Sequence, residues 1–228
     1  MRHKFGFTLA ETLITLTIIG VVSAITLPTV VGNYEKKVVG VKLHKFYSQM
    51  NQALNQYYKD NNMVPSDMLV PANSTTADTK TWWEQTIGPQ FSGAREFTST
   101  LPDKNNKYCL MLKDETAFCI KKDTGSSTSE NINIHFYTEA KYSNTAYYDG
   151  KHGYLFVISG GKLYASVPSI ADTTRAALLD SCKKCNYANG GNTSQGKCHT
   201  CSRLIQIDGW ELKSDYPWKK ECVGSGCS

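Results

Sequence analysis

The 228-residue chain has little surplus charge. Its 25 Lys and Arg stand against 20 Asp and Glu, a formal net charge of +5. That is too mild over this length to imply nucleic-acid binding by itself. Familiar catalytic patterns are missing too. No P-loop, GxSxG, HExxH or EF-hand pattern occurs. The Asp and Glu residues are scattered, with no pair spaced for acid–base work. Neither CxxC is followed by His, which excludes haem attachment. The expectation is a protein that is not an enzyme. With 40% hydrophobic and 20% charged residues, the composition is neither that of a disordered chain nor that of a multi-span membrane protein. The length suits one ordinary domain, or a small domain plus an anchor.

The mean hydropathy of −0.38 averages over an uneven chain. Residues 12–31, TLITLTIIGVVSAITLPTVV, contain no Asp, Glu, Lys, Arg, His, Asn or Gln. A helix of that length spans roughly 30 Å, about the thickness of a bilayer core. Three readings are open for it. In a secretory signal peptide, Arg2, His3 and Lys4 form the charged region and Val22-Ser23-Ala24 the cleavage site. A plain signal anchor keeps the whole segment. The third reading turns on Glu11, which lies inside the apolar stretch that starts at Phe5. A carboxylate there costs roughly 2.5–3.5 kcal/mol on insertion scales. No Lys or Arg falls between residues 5 and 35 to offset it. Cleavage after Gly6 would create a cation, the α-amino group of Phe7 on an adjacent copy, with a reference pKa of about 8. Pairing it with Glu11 would offset the burial of both charges and set the axial register between copies.

Gly6-Phe7-Thr8-Leu9-Ala10-Glu11, behind the short basic leader Met1-Arg2-His3-Lys4-Phe5 and ahead of the apolar run, resembles the N-terminus of type IV prepilins and type II secretion pseudopilins. The resemblance implies that prepilin peptidase cuts between Gly6 and Phe7 and N-methylates Phe7, and that Glu11 makes the inter-subunit pair. Gly20 and Pro28 match positions where family helices bend or locally melt in filaments. A helix-interior Pro removes a backbone hydrogen bond and clashes with the preceding turn, which supplies a cause.

The implied function is a structural subunit of a type IV pilus or type II secretion pseudopilus. The implied partners are other pilin or pseudopilin subunits, prepilin peptidase, the inner-membrane assembly machinery and membrane lipid. The implied location is the bacterial inner membrane, single-pass, with the head outside the cytoplasm, and then the filament. One count conflicts with that topology. Lys36, Lys37, Lys42 and Lys45 follow the span while only Arg2 and Lys4 precede it, so the positive-inside rule places the C-terminal part in the cytoplasm. The leader overrules that count, because the cleavage site it resembles faces the cytoplasm. Two alternatives stand beside this reading. One is a minor or competence-type pilin assisting DNA uptake. The other is a membrane-anchored envelope domain with a zinc or redox CxxC cluster that does not polymerise.

Beyond the span, Val39, Leu43, Phe46, Met50, Leu54 and Tyr57 recur at steps of four and three, the mark of one buried helical face. The helix is expected from about Phe7 to about Asp60, ended by Asn61-Asn62-Met63-Val64-Pro65. The expected division is a leader 1–6, a membrane and assembly helix 7–31, its amphipathic continuation 32–62, and a head 63–228 that is cysteine-rich from 182. Residues 64–107 read as loop with one short helix near Trp82 to Ile87, where Trp82 and Trp83 serve as packing anchors. Tyr108–Lys113 and Thr116–Lys121 read as a hairpin turning near Asp114, which sets Cys109 opposite Cys119 within disulfide reach. Ile132–Thr138, Tyr154–Ser159, Lys162–Val167 and Leu204–Leu212 are further expected strands, with a turn at Ser159-Gly160-Gly161. The expected fold is α+β and pilin-like, a long N-terminal helix packed on an antiparallel sheet with a disulfide-rich C-terminal region.

Eight cysteines in an even count suit paired thiols outside the cytoplasm. Cys182-x2-Cys185 and Cys198-x2-Cys201 enclose twelve residues, 186–197, a formal match to a four-thiolate zinc ribbon. The compartment stands against zinc, and Asn186 and Ser202 occupy the places of the usual knuckle glycines. Disulfides among Cys182, Cys185, Cys198, Cys201, Cys222 and Cys227 are therefore the default, with fifteen possible pairings, and no cofactor is expected. Asp208 and Asp215 could serve calcium, but read better as hydrated surface carboxylates. Lys183-Lys184 and Lys219-Lys220, with Tyr187, Trp210, Tyr216 and Trp218, could touch DNA. A solvated face is favoured at this net charge, and nucleic acid is not an expected partner. His199 reads as a surface residue.

Overall fold

The computed structural model describes residues 8–99, 107–123, 130–144, 149–183 and 199–218. The chain divides into two compact units, one up to Val38 and one from Val39 onward. Helix α1, Leu9–Asp60, contributes to both.

In the first unit α1 is apolar all round. Leu13, Ile14, Leu16, Ile18, Ile19, Val21, Val22, Ile25, Leu27 and Val30 are each more than half exposed. A soluble surface helix buries one stripe, whereas this one has no polar face. Its length and composition are sufficient to cross a membrane. The threonines inside it fit that solvent. The hydroxyls of Thr12, Thr17 and Thr26 donate to the carbonyls of Leu9, Leu13 and Val22 at 2.8–2.9 Å. Each polar hydrogen is thus satisfied within the helix, as hydrocarbon requires. Pro28 lies in the helix interior, so the carbonyl of Ala24 loses its usual donor.

The second unit is α+β. Six antiparallel strands pair in sequence order as a meander, namely β1 Arg95–Glu96, β2 Tyr108–Met111, β3 Ala117–Lys122, β4 Ile132–Tyr137, β5 Gly153–Ser159 and β6 Lys162–Tyr164. Sequential hairpins allow this order without crossovers. The predicted stripe of α1 is buried throughout, from Val39 to Tyr57. Phe46 meets Phe118, Phe136 and Phe156 with ring centroids 5.2, 4.6 and 5.3 Å away. One helical side chain therefore joins α1 to three adjacent strands. The β5–β6 turn has φ +51° at Gly160 and +70° at Gly161, the double left-handed conformation that a two-residue hairpin favours. A Cβ on Gly161 would also run into the Pro65 carbonyl. Tyr58 secures the same corner by donating its hydroxyl to the Gly161 carbonyl.

Several expectations need correction. Leu204–Leu212 is not a strand. Helix α4 runs Thr200–Ile207 and buries Cys201, Leu204 and Ile205 at helical spacing. Gly209, at φ +75°, ends it. A short apolar run does not distinguish strand from helix by periodicity alone, which explains the misreading. Strand β6 stops at Tyr164 rather than Val167. Ser166 takes a φ of +125° and Pro168 opens a 3-10 turn. Helix α3, Arg175–Lys183, was not foreseen. Helix α2 runs Thr76–Gln85 and so starts earlier than Trp82, because Thr75 caps it by accepting the Asp78 N–H at 3.0 Å. Trp82 and Trp83 are buried as anchors, and the Trp82 indole N–H donates to the Leu69 carbonyl at 2.6 Å.

Candidate functional site

Glu11 sits at the start of α1 in a reciprocal arrangement with Thr8. The Thr8 carbonyl accepts the first helical bond, from the Thr12 N–H at 3.2 Å. The Thr8 hydroxyl accepts the Glu11 N–H at 3.3 Å. In return, Glu11 Oε2 accepts the Thr8 N–H at 2.8 Å and the Thr8 hydroxyl at 2.9 Å. This is a capping box, placed where the helix dipole favours a negative charge. A search for a cation alone misses it, although Thr8-x-x-Glu11 is its sequence signature. All these bonds to the carboxylate use Oε2 and neither brings a positive charge. Among the described residues nothing donates to Oε1. Gly6 and Phe7 lie outside the described residues. Around Gly20 nothing comes within 4 Å of a would-be Cβ.

The cysteines sort by position. Cys109 and Cys119 face each other across β2 and β3 and are bonded, with Cα atoms 4.0 Å apart. Cys182 of α3 is bonded to Cys201 of α4 across 5.1 Å between Cα atoms, and both are fully buried. In this oxidised state these two sulfurs bind each other, so neither is a thiolate for the four-cysteine zinc set of Cys182, Cys185, Cys198 and Cys201. Cys185, Cys198, Cys222 and Cys227 lie outside the described residues. Among the described residues no three His, Cys, Asp or Glu side chains group as a metal site.

Asp215 is a surface carboxylate, as expected, whereas the Asp208 side chain is largely buried, and both are ion-paired. Arg175, at the start of α3, grips both. Its Nε and one terminal nitrogen donate to Asp208 at 2.6 and 2.8 Å, and its terminal nitrogens reach Asp215 at 2.8 and 2.9 Å. The guanidinium fork holds the Asp215 carboxyl below the usual carboxylate range, through hydrogen bonds first and charge attraction second. The missed signal was Arg175, more than thirty residues upstream in sequence.

The aromatics considered as a nucleic-acid platform are engaged in packing. Trp210 stacks on His44 with centroids 5.6 Å apart and tilts against Tyr47 at 4.9 Å. The Tyr216 hydroxyl is buried and donates to the Gly150 carbonyl at 2.6 Å, and burial pushes its pKa up. Lys151 lies over the Trp218 ring at 5.1 Å. Lys184, Tyr187, Lys219 and Lys220 lie outside the described residues, as do the flanks of His199 on its N-terminal side.

The four lysines after the span fall into two pairs. Lys42 donates to the Thr138 carbonyl at 2.8 Å. Lys45 pairs with Asp114 at 2.6 Å. Burial raises the Asp114 carboxyl, but hydrogen bonds from Lys45 and Thr116 outweigh it, and the group ends below its ordinary value. Beside this pair is a groove of about 700 Å³ whose walls carry Gln49, Gln52, Gln56 and Gln90. Lys36 and Lys37 meet no carboxylate or carbonyl acceptor among the described residues.

Two family models match the chain. One is described as a prokaryotic N-terminal methylation motif and covers residues 1–27. The other is described as a family of unknown function (DUF6613) and covers residues 29–159. No curated protein and no solved structure matches. A methylation motif and an exposed apolar helix fit a membrane-anchored protein. With more than half its length matched, the chain belongs to the family DUF6613, and the motif that precedes that match makes it a prepilin-type precursor of the type IV pilin and pseudopilin kind.

Proposed function

We propose that this precursor is a structural subunit of a type IV pilus or a type II secretion pseudopilus, and that it catalyses no reaction of its own. Prepilin peptidase cuts it between Gly6 and Phe7 and methylates Phe7. Residues 7–31 hold it in the inner membrane and later form the filament core, 32–62 continue that helix, and 63–228 supply the head. The observation that carries this reading is the methylation motif running into a helix that is apolar on every side, with one carboxylate at its start. Such a surface is stable only against lipid or against other helices, so the same residues serve both states. Glu11 Oε1 is the atom available to the Phe7 amine of a neighbour. Gly20 and Pro28 are the places where the helix yields during packing.

One observation supports a head outside the cytoplasm. Both disulfides join buried cysteines, as oxidising compartments permit. Lys42 and Lys45 are engaged by the head's own acceptors but keep their charge, so the lysine count after the span still runs against this topology and only the leader motif overrules it.

The test is intact mass and N-terminal sequence of the protein from cells that assemble it. A mature chain starting with methylated Phe7 is expected. Glu11→Ala should still be cut but should not yield filaments in sheared fractions, and normal filaments from it would overturn the mechanism. Gly6→Ala should remain uncut. An inactive periplasm-only reporter at the C-terminus would overturn the topology.

A further inference from the structure

We propose that Tyr34, Lys36 and Lys37 form a headgroup site for anionic phospholipid at the end of the membrane-spanning stretch, an inference that rests on the membrane reading above. Asn33 is the first strongly polar side chain after the apolar run, so residues 33–37 fall at the depth where hydrocarbon gives way to headgroups. Tyr34 is 68% exposed, and tyrosine is enriched at that level because its ring is apolar and its hydroxyl is wet. Successive helical residues turn by about 100°. Lys36, Lys37 and Tyr34 therefore occupy an arc of about 160°, and Glu35, the one acidic neighbour, projects outside that arc.

Contrast within the chain identifies these two lysines as the ones left for an external anion. Lys42 and Lys45, one and two turns further on, are held by Thr138 and Asp114. Lys36 and Lys37 have no such partner among the described residues, and their long stems let each ammonium reach a lipid phosphate while the alkyl chain lies along apolar surface. A phosphate carrying net negative charge suits them, whereas a zwitterionic headgroup brings its own cation. The site fixes the depth of the stored subunit, and extraction into a filament must release the bound headgroups.

The test uses the full chain reconstituted in phosphatidylcholine nanodiscs with trace spin-labelled phosphatidylglycerol or phosphatidylcholine. Electron paramagnetic resonance then gives the relative association of the two lipids. Preference for phosphatidylglycerol by about fivefold or more is expected, since each lysine near an anionic surface contributes about that factor. It should fall close to one in Lys36→Gln/Lys37→Gln and in about 0.5 M salt. Lys42→Gln/Lys45→Gln should keep the preference. Equal association of both lipids with the unaltered chain would overturn the site, as would a preference that survives Lys36→Gln/Lys37→Gln or is lost in Lys42→Gln/Lys45→Gln. Absence of a motionally restricted component for either lipid would overturn the membrane reading as well, which separates the two failures.

Discussion

Replacing Phe46 with Ala should unfold the head far below the melting temperature of the unaltered protein. The ring is 1% exposed and lies against Phe118, Phe136 and Phe156, one from each of β3, β4 and β5. Removing it takes away the transfer energy of a full aromatic side chain and leaves a cavity that three strands cannot close together. Core Phe→Ala changes of this kind cost about 3–5 kcal/mol. For a domain of this size, each kcal/mol lowers the melting temperature by about 2–4 °C, so a fall of roughly 6–20 °C is expected. The assay is near-ultraviolet circular dichroism of the full chain in detergent during heating. Far-ultraviolet signal is a poor reporter, because an apolar helix in detergent stays helical when the head melts. Leu16→Ala serves as the control. Leu16 is 66% exposed and belongs to the first unit, so the head should melt unchanged. A Phe46→Ala shift below about 2 °C, with native near-ultraviolet signal, would refute the assignment of this stripe to the core.

Four further outcomes follow from the same geometry. Cys182→Ser/Cys201→Ser removes a bridge across a separation of 19 residues and should cost about 3 kcal/mol on the loop-entropy scale, read by urea unfolding with and without reductant. Gly161→Ala should destabilise more than Gly160→Ala, because only the former meets the Pro65 carbonyl, and equal melting temperatures would refute that. Asp149 Oδ1 accepts the backbone N–H groups of Lys151, His152 and Gly153 while Oδ2 meets His152 Nδ1 at 2.7 Å. Burial raises this carboxyl, but His152 and the backbone bonds outweigh it and leave it below its ordinary value. A depressed folded pKa contributes stability that is present above the unfolded value of about 3.9 and is lost as pH falls through the folded one. Asp149→Asn should therefore lower stability at pH 7 and flatten its acid dependence below about pH 4, as measured by melts across pH. Arg175→Met should destabilise the α3–α4 region, with loss of the coupling between Asp208 and Asp215 seen in a double-mutant cycle.

The sequence was most legible where one physical demand acts on many residues in register. The stripe from Val39 to Tyr57 repeats a single requirement, so its burial could be read directly. The β2–β3 hairpin was legible for a related reason, since alternation and a turn near Asp114 together determine which residues face each other, Cys109 and Cys119 included. Legibility failed where the deciding partner is distant. Leu204 to Leu212 holds apolar residues enough for a strand, and the helix is the better solution because it buries Cys201, Leu204 and Ile205 on one face, with Cys201 bonded to Cys182 of α3 and Ser202 hydrogen-bonded to β5. Arg175 carries no local sign that two carboxylates wait beyond residue 207. At Glu11 the miss was of another kind. The capping box was local and readable, but a carboxylate in apolar sequence directs attention to opposite charge before hydrogen-bond donors.

That last point bears on how a subunit waits in a membrane before it assembles. A carboxylate with no partner at all would be strongly unfavourable in hydrocarbon, and the stored state would be costly. Thr8 reduces that cost by donating two hydrogen bonds to Oε2 without neutralising the charge. The stored subunit is thereby tolerable but not satisfied, and a neighbour's ammonium still offers Glu11 a positive charge that none of the described residues supplies. Thr8→Val separates the two contributions. It removes the hydroxyl bond and the N-cap while leaving the charge and Oε1 in place, so the stored precursor should become less stable in the bilayer while the charge pair remains possible. Filaments should then form in reduced amount, in contrast to their loss in Glu11→Ala. Quantifying sheared filaments against membrane-retained subunit for both variants provides the comparison. Equal loss in the two would mean that Thr8 and Glu11 act as one unit, and that Oε1 is not a separate docking point.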